Sequence, residues 1–443
     1  MTNRKTISFY TLGCRLNQAE TAGIQNSFIN DRYRVVDFDQ PADIVVINTC
    51  TVTENGDADT RRLINKANRL NPQTQIALIG CQAQVQKERL AALANVKWIV
   101  GNAKKMDLFS LLENSVVADY PQVITPAIPR ESFTVPLAAI DAEHTRANIK
   151  IQDGCDFFCS FCEIPYARGR ARSRQFADLR REAAALVEAG YQEVVLTGIN
   201  IGTYQDQGKD IVAVVDALEE IAGLKRIRIS SIEPTTIPWK LIEKMSPAPM
   251  GSKLCRYLHI PLQSGEDGIL ESMKRKYSTQ EFLNFVQGAV KKVPGICIGT
   301  DVIVGFPGES EAHFEKTCTF LRESPIHYFH VFSYSPRTMA KSKDLPDEIP
   351  PSIVQRRSRI LRDLSQRKRQ MYYASMAGAV ADVLFEQEKD GFWTGVTDNY
   401  IRVKVKSEQS LSNHLLPVHL LHVEGPAMIG ELKNRDLHKS LKF

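Results

Sequence analysis

Cys155, Cys159 and Cys162 lie in Gly154-Cys155-Asp156-Phe157-Phe158-Cys159-Ser160-Phe161-Cys162, a C-x₃-C-x₂-C run. Thiolates are the preferred protein ligands of iron in Fe–S centres, and three on one short loop can wrap a corner of a cubane cluster. One iron is then left without a protein ligand and stays open to a substrate or cofactor. A structural zinc site and a disulfide knot are the rival chemistries. Zinc usually takes a fourth Cys or His nearby, and none follows Cys162 within about a dozen residues. The chain has nine cysteines, an odd number, and its first residues run straight into a strand pattern with no leader. Those features predict a reducing, cytoplasmic setting rather than a disulfide framework. No eighteen apolar residues run together, so no membrane span is expected.

Three more cysteines share a placement. Apolar runs at 7–10, 44–47 and 76–79 read as strands buried on both faces, with weaker strands at 33–36 and 97–100. Helical patterns fall between them, near 19–29, 58–70 and 84–93. This alternation predicts a doubly wound parallel α/β domain over 1–113. Cys14, Cys50 and Cys81 each follow the carboxyl end of a strand, the edge at which such sheets bind ligands. They are expected to hold a second Fe–S cluster, again one thiolate short of four. Cys255, Cys297 and Cys318 fit apolar core positions.

A stretch at 114–143 punctuated by Pro121, Pro126, Pro129 and Pro136 reads as a linker. Over 144–350, strand-like segments recur at 147–151, 193–197, 226–231, 256–260, 298–304 and 327–332, with helices between. Six βα units fall short of the eight that close a full barrel, so a partial (β/α)₆ barrel is expected. The three-cysteine loop follows its first strand, at the carboxyl end where barrel chemistry resides. At 351–375, Ile353, Ile360, Leu361, Leu364 and Met371 recur at helical spacing. Seven bases (Arg356, Arg357, Arg359, Arg362, Arg367, Lys368, Arg369) accompany a single acid there, Asp363. Such a helix either covers a domain with a solvated face or turns that face to phosphates. Short strands at 379–386, 391–396, 400–405 and 418–424 predict a small all-β barrel over 376–443. The net charge of +5 is too mild to choose a partner by itself.

The cysteine loop resembles the signature of radical S-adenosylmethionine (SAM) enzymes. Together with the N-terminal triad and the terminal β module, it makes the chain resemble the methylthiotransferases, which replace C–H by C–S–CH₃. The matching stretches include Thr11-Leu12-Gly13-Cys14-Arg15-Leu16-Asn17-Gln18, Asn48-Thr49-Cys50-Thr51-Val52-Thr53, Gly80-Cys81 and Ile164-Pro165-Tyr166-Ala167-Arg168-Gly169. They continue with Leu196-Thr197-Gly198-Ile199-Asn200, His259-Ile260-Pro261-Leu262-Gln263-Ser264-Gly265 and Asp301-Val302-Ile303-Val304-Gly305-Phe306-Pro307-Gly308-Glu309. The resemblance implies two [4Fe–4S] clusters. SAM would chelate the open iron at Cys155, Cys159 and Cys162 and be cleaved there to a 5′-deoxyadenosyl radical, with Phe161 near its adenine. The cluster at Cys14, Cys50 and Cys81 would carry the inserted sulfur, methylated by a second SAM. The terminal module is similar to TRAM, an RNA-binding barrel. The run around Cys14 looks most like the branch acting on N⁶-threonylcarbamoyladenosine (t⁶A) at position 37 of tRNA. The isopentenyladenosine branch typically reads Tyr-Gly-Cys-Gln-Met-Asn there, and the ribosomal protein S12 branch Leu-Gly-Cys-x-Lys-Asn. The implied partners are a tRNA anticodon stem-loop and an electron donor such as flavodoxin or ferredoxin; the sulfur donor is not legible. A non-catalytic Fe–S RNA-binding protein is the reading from another class, and the complete cysteine loop speaks against it.

Gly198, Asn200, Glu233, Gln263 and Gly305 stand at strand ends and are candidates to hold SAM, Gly198 by close backbone approach and Glu233 at the ribose hydroxyls. Arg168, Arg170, Arg172 and Arg174 alternate beside the loop, toward the SAM carboxylate, RNA phosphates or solvent. With Arg356, Arg357, Arg367, Lys368 and Arg369 they make up the candidate RNA contacts. Tyr372, Tyr373, Phe392, Trp393 and Tyr400 either stack on unpaired bases or pack the small barrel. No histidine stands out as a ligand. Tyr334-Ser335-Pro336-Arg337 leads into Thr338-Met339-Ala340-Lys341 instead of the family's Gly-Thr-Pro-Ala-like turn, so an altered loop is expected there.

Overall fold

The computed structural model describes residues 4–30, 32–51, 54–115, 119–136, 145–246 and 251–433. Val52 and Thr53 of the Cys50 motif, 116–118 and 137–143 of the expected linker, and 434–443 lie outside the described residues.

The first sheet has six parallel strands, in the order Tyr33–Val36, Lys5–Thr11, Ile44–Thr49, Gln75–Gly80, Val96–Val100 and Gln122–Ile124. Ile44–Thr49 is buried at every position; its first four residues are an unbroken apolar run, and its buried Asn48 and Thr49 are hydrogen-bonded to Thr21 and to the Ile79 carbonyl. Ile24, Phe28 and Leu108 pack on one face with Ile7, Val46 and Ala77. Leu63, Ile64 and Leu90 pack on the other with Val45, Ile47 and Leu78. Helices thus cover both faces, as double winding requires. The expected linker needs correction, because Gln122–Ile124 pairs with Val96–Val100 and completes the sheet. Three partly exposed residues near Pro121 and Pro126 carry too short a pattern to read as a strand. The helix read at 84–93 is two short ones, Cys81–Val85 and Lys87–Ala91, broken at Gln86.

The second unit consists of two three-stranded parallel sheets. Arg146–Lys150, Glu193–Thr197 and Arg226–Ile229 form one; Tyr257–His259, Cys297–Val304 and Tyr328–Ser333 form the other. Parallel bridges Ile227↔Leu254 and Ser231↔His259 join them. Six strands in chain order thus curve into an open barrel whose first and last strands are edges. Helix Arg15–Ser27 packs against the first edge strand. Helix Pro351–Ala374 covers the last, where Ser365 Oγ accepts from Phe329 N (2.8 Å) and donates to Phe329 O (2.7 Å). Leu361 and Leu364 of that helix join the barrel core, while Met371 is exposed.

The C-terminal barrel closes with five strands, in the order Val380–Lys389, Phe392–Thr397, Arg402–Val405, Ala427–Leu432 and Leu415–Glu424. The last of them along the chain, Ala427–Leu432, escapes a pattern reading because Gly430 interrupts it where a Cβ would strike Val418 at 2.5 Å. This barrel docks on the amino ends of the central strands. Arg226 donates to the carbonyls of Val396 (3.0 Å) and Asp382 (2.6 Å), and Arg228 to those of Asp398 (2.8 Å) and Thr397 (3.1 Å). Two arginines on a strand buried throughout are therefore paid for by hydrogen bonds across the interface. No helix among the described residues is long and apolar enough to cross a membrane.

Candidate active site

Cys14, Cys50 and Cys81 follow three adjacent strands of the first sheet. Gly13 adopts φ +90°, and a Cβ there would lie 2.7 Å from Cys50 Sγ, so only glycine lets these two turns meet. Asn17 ties them together by donating to Leu12 O (2.8 Å) and Thr49 O (3.2 Å). Arg168 Nε reaches Cys81 Sγ at 3.2 Å. On the barrel side, Arg275 Nη1 lies 3.2 Å from Cys159 Sγ, and the Phe157 N–H 3.5 Å from Cys155 Sγ. The two triads face each other across the domain boundary. Thr51, next to Cys50, donates to the carboxylate of Glu163, next to Cys162, at 2.7 Å.

None of the nine cysteines forms a disulfide. Neither triad brings its three sulfurs within 4.8 Å of one another, whereas thiolates sharing one zinc would stand about 3.8 Å apart. Burial pushes the Cys155 thiol up to about 11, opposed by the Phe157 N–H. Burial likewise raises Cys159, opposed by Arg275, and Cys14, opposed by Arg168. Buried thiols of this kind keep their protons near neutrality until a metal displaces them.

Arg168 belongs to a buried ionic cluster between the two units. Its guanidinium meets Asp153 (2.9 Å) and Glu20 (3.0 and 3.1 Å). Lys105 and Lys150 also donate to Glu20, at 2.5 and 2.7 Å, and Lys150 and Arg172 to Asp153, at 2.6 and 3.2 Å. Four cations face two carboxylates, leaving two positive charges in excess beside Cys81. Thiolate ligation is what would balance them. This corrects the expected RNA role of Arg168 and Arg172. Arg174 is also corrected: it is fully buried on Asp178 and Glu182. Arg357 is buried on Glu309 (2.7 Å), and Lys368 donates to the carbonyls of Arg322 and Ser324. Arg168, Arg172, Arg174 and Arg357 are buried against carboxylates of the protein itself, out of reach of a phosphate. Arg170, Arg356 and Arg367 remain exposed. Tyr372, Tyr373 and Trp393 pack in the core around the C-terminal barrel.

A cavity of about 510 Å³ opens between the three units. Cys14 and Arg15 enter it from the first, Gly198 and His259 from the second, Tyr400 and Arg402 from the third. Cys14 is exposed to this cavity, which explains how a thiol raised by burial can still be accessible. A groove of about 600 Å³ runs along the Pro351–Ala374 helix past Arg362 and Gln366, and shares His330, Arg369, Tyr373 and Pro426 with the cavity. A pocket of about 160 Å³ beside the cysteine loop brings together Phe161, Gln263, Asp301 and Ile303. Its Asp301 accepts from His259 Nε2 at 2.9 Å, so this pair forms a partition between pocket and cavity. His330 joins them in the one group of three among the described residues with ligand atoms all within 4.8 Å. No local signal marks the three as a group, because their meeting depends on three separate strands.

The remaining candidates separate. Gly198 lines the cavity, and a Cβ there would meet Gln152 Oε1 at 2.9 Å. Asn200 is buried and accepts from Glu233 N (3.2 Å) and Thr236 Oγ1 (2.9 Å), bracing the strand ends. Glu233 is bound by Arg275 (2.5 Å), the residue that also reaches Cys159, and burial raises its carboxyl. Gly305 is reassigned: with φ +77°, its missing Cβ makes room for Val354 of the long helix, 2.4 Å from where the Cβ would stand. The Thr338-Met339 turn closes without glycine through Ala340 N to Arg337 O (3.1 Å), and Met339 N donates to Glu163 (2.7 Å).

An open parallel barrel whose first strand feeds a three-cysteine loop defines a radical SAM enzyme. Residues 149–321 match the Radical SAM superfamily, and residues 6–101 match Uncharacterized protein family UPF0004. The chain is 38% identical over 400 residues to a protein of Aquifex aeolicus named threonylcarbamoyladenosine tRNA methylthiotransferase MtaB, covering 90% of this chain and 96% of the relative. A protein of the same name from Bacillus subtilis is 36% identical over 438 residues, 96% of each chain. The chain thus belongs to the radical SAM methylthiotransferase family, membership that implies SAM and a [4Fe–4S] cluster. Among solved structures, the radical SAM methyltransferase TsrM of Kitasatospora setae, with cobalamin and a [4Fe–4S] cluster bound, shares the fold. Its TM-score is 0.56 at 13% identity, over 77% of this chain and 74% of that one.

Proposed function

We propose that this enzyme converts t⁶A at position 37 of tRNA to its 2-methylthio derivative. The observation that carries this reading is the cavity onto which both Cys14 and the barrel strand ends open; the names of the full-length relatives supply the nucleoside. An aromatic C2–H is not acidic, so neither base nor nucleophile opens it, and the protein's task is orientation and exclusion of water. When bound, a cluster at Cys155, Cys159 and Cys162 with SAM supplies radical chemistry, and a second at Cys14, Cys50 and Cys81 supplies the sulfur. Phe161 and Gln263 would border the SAM adenine, with Gly198 admitting the backbone close to the cofactor. Arg275 and Glu233 orient the Cys159 side of the loop, and Arg168 that of Cys81.

Tyr400, the half-buried tyrosine of the cavity wall, offers a stacking face to an extruded base. The groove along the long helix offers Arg362 and Arg369 to the anticodon stem-loop backbone. We assign 1–113 to sulfur delivery and 144–350 to the radical step. Residues 351–375 and 376–443 serve RNA binding, and 114–143 joins the first two units while lending the first its last strand. A flavodoxin- or ferredoxin-type donor would supply electrons. Nucleoside mass spectrometry of tRNA from a deletion strain tests the reading. The 2-methylthio form of t⁶A should vanish while 2-methylthio-isopentenyladenosine persists; the reverse would move the enzyme to the isopentenyl branch.

A further inference from the structure

We infer that Arg15 reads the threonyl carboxylate of the substrate, an assignment that rests on the t⁶A reading above. Three guanidiniums line the main cavity, those of Arg15, Arg369 and Arg402. Arg15 follows Cys14 directly. Among the described residues it has no carboxylate partner. It donates to Tyr400 Oη (2.5 Å), and its guanidinium lies 5.7 Å from the centre of that ring. Against burial, which raises it, Arg15, Arg146 and Arg228 draw the Tyr400 hydroxyl below its usual range; the phenol orients the Arg15 guanidinium but brings no carboxylate to it, so a half-buried cation is held ready for an anion. Tyr400 is itself fixed from behind, tilted against Tyr257 at 4.6 Å and lying under Arg228 at 5.1 Å.

The other two cations are placed for different work. Arg369 lies over Tyr328 (4.7 Å) at the mouth shared with the helix groove, on the path of the RNA backbone. Arg402 projects from an exposed position of the small barrel. Substrate chemistry decides between them. In t⁶A the threonyl-side ureido N–H can bond back to adenine N1, closing a six-membered ring that lays the amino acid along the Watson–Crick edge. C2 lies on that edge. A carboxylate reader must therefore stand beside the residues that deliver sulfur to C2, and of the three arginines only Arg15 adjoins a cysteine of the N-terminal triad.

The reconstituted full-length enzyme tests this with anticodon stem-loops bearing t⁶A or its threonyl methyl ester, which keeps the shape and loses the charge. The wild type should show a KM for the acid about 10- to 100-fold below that for the ester, the range of a hydrogen-bonded charge. Arg15→Gln should erase that preference, and Arg15→Lys should restore part of it. Equal KM values for acid and ester in the wild type, or an Arg15→Gln variant that keeps the preference, would overturn the assignment while t⁶A turnover leaves the function standing. A wild type inactive on t⁶A would overturn both.

Discussion

Replacing Glu20 by Gln removes one of only two carboxylates that hold four buried cations between the N-terminal unit and the barrel. Glu20 is fully buried and accepts from Lys105, Lys150 and Arg168. Those cations keep the carboxyl far below its usual range despite the opposing effect of burial. Breaking a buried ion pair from one side costs about 3–5 kcal/mol, because the partner's charge is stranded. With three partners stranded at once, the upper part of that range is expected. Lys105 limits the cost: burial already lowers its ammonium, so without Glu20 it can shed its proton. At roughly 2–4 °C per kcal/mol for a unit of 150–250 residues, the loss corresponds to a fall in midpoint of roughly 8–20 °C. Calorimetry on the full chain measures it. The variant's iron content should fall as well, since Arg168 is shared between Glu20 and Cys81. Lys105→Met, which removes one stranded charge, should make the double variant less destabilised than the sum of the singles. A shift under about 2 °C, or strict additivity, would refute a tightly coupled ionic joint.

Anaerobic reconstitution should load about eight irons per chain, and C155A/C159A/C162A about half; loss of all iron would show that the N-terminal triad is not an independent site. Arg359, Arg362 and Arg367 are exposed and pair with no carboxylate among the described residues. Changing all three to Gln should weaken tRNA binding and reduce its log–log salt slope by about 2–3; an unchanged slope would move the RNA path elsewhere. Burial holds His327 down at about 4, aided by Lys368. The unfolded chain therefore takes up the proton first, and stability present above pH 6.5 should fall as pH drops toward 4, by up to roughly 3 kcal/mol. His327→Asn, which can still accept from Ile298 N, should flatten that acid limb; an unaltered limb would exclude His327 as its source.

What could be read from sequence was whatever depends on short range. Ile44–Thr49 announces itself because its buried Ile44–Ile47 stretch is apolar at each position, and Cys14, Cys50 and Cys81 are visible because strand ends are. Arg168 misleads for the opposite reason. Its neighbours Arg170 and Arg172 make a basic loop, while its partner Glu20 lies 148 residues away. Charge in sequence therefore looked like charge at the surface. Arg226 and Arg228 follow the same logic, since the carbonyls that receive them belong to a barrel more than 150 residues further on. Gln122–Ile124 hides among prolines because a three-residue edge strand has no period. The cavity could not be foreseen, as each of its walls comes from a different unit.

In the proposed mechanism two cysteine triads divide the work, the one on the barrel loop supplying the radical and the N-terminal one the sulfur. The most direct measurement assays C14A/C50A/C81A, reconstituted anaerobically, on a t⁶A-bearing stem-loop with SAM and a chemical reductant. SAM cleavage to 5′-deoxyadenosine should continue while no 2-methylthio nucleoside forms. Methylthiolated product at the wild-type level from that variant would contradict the account.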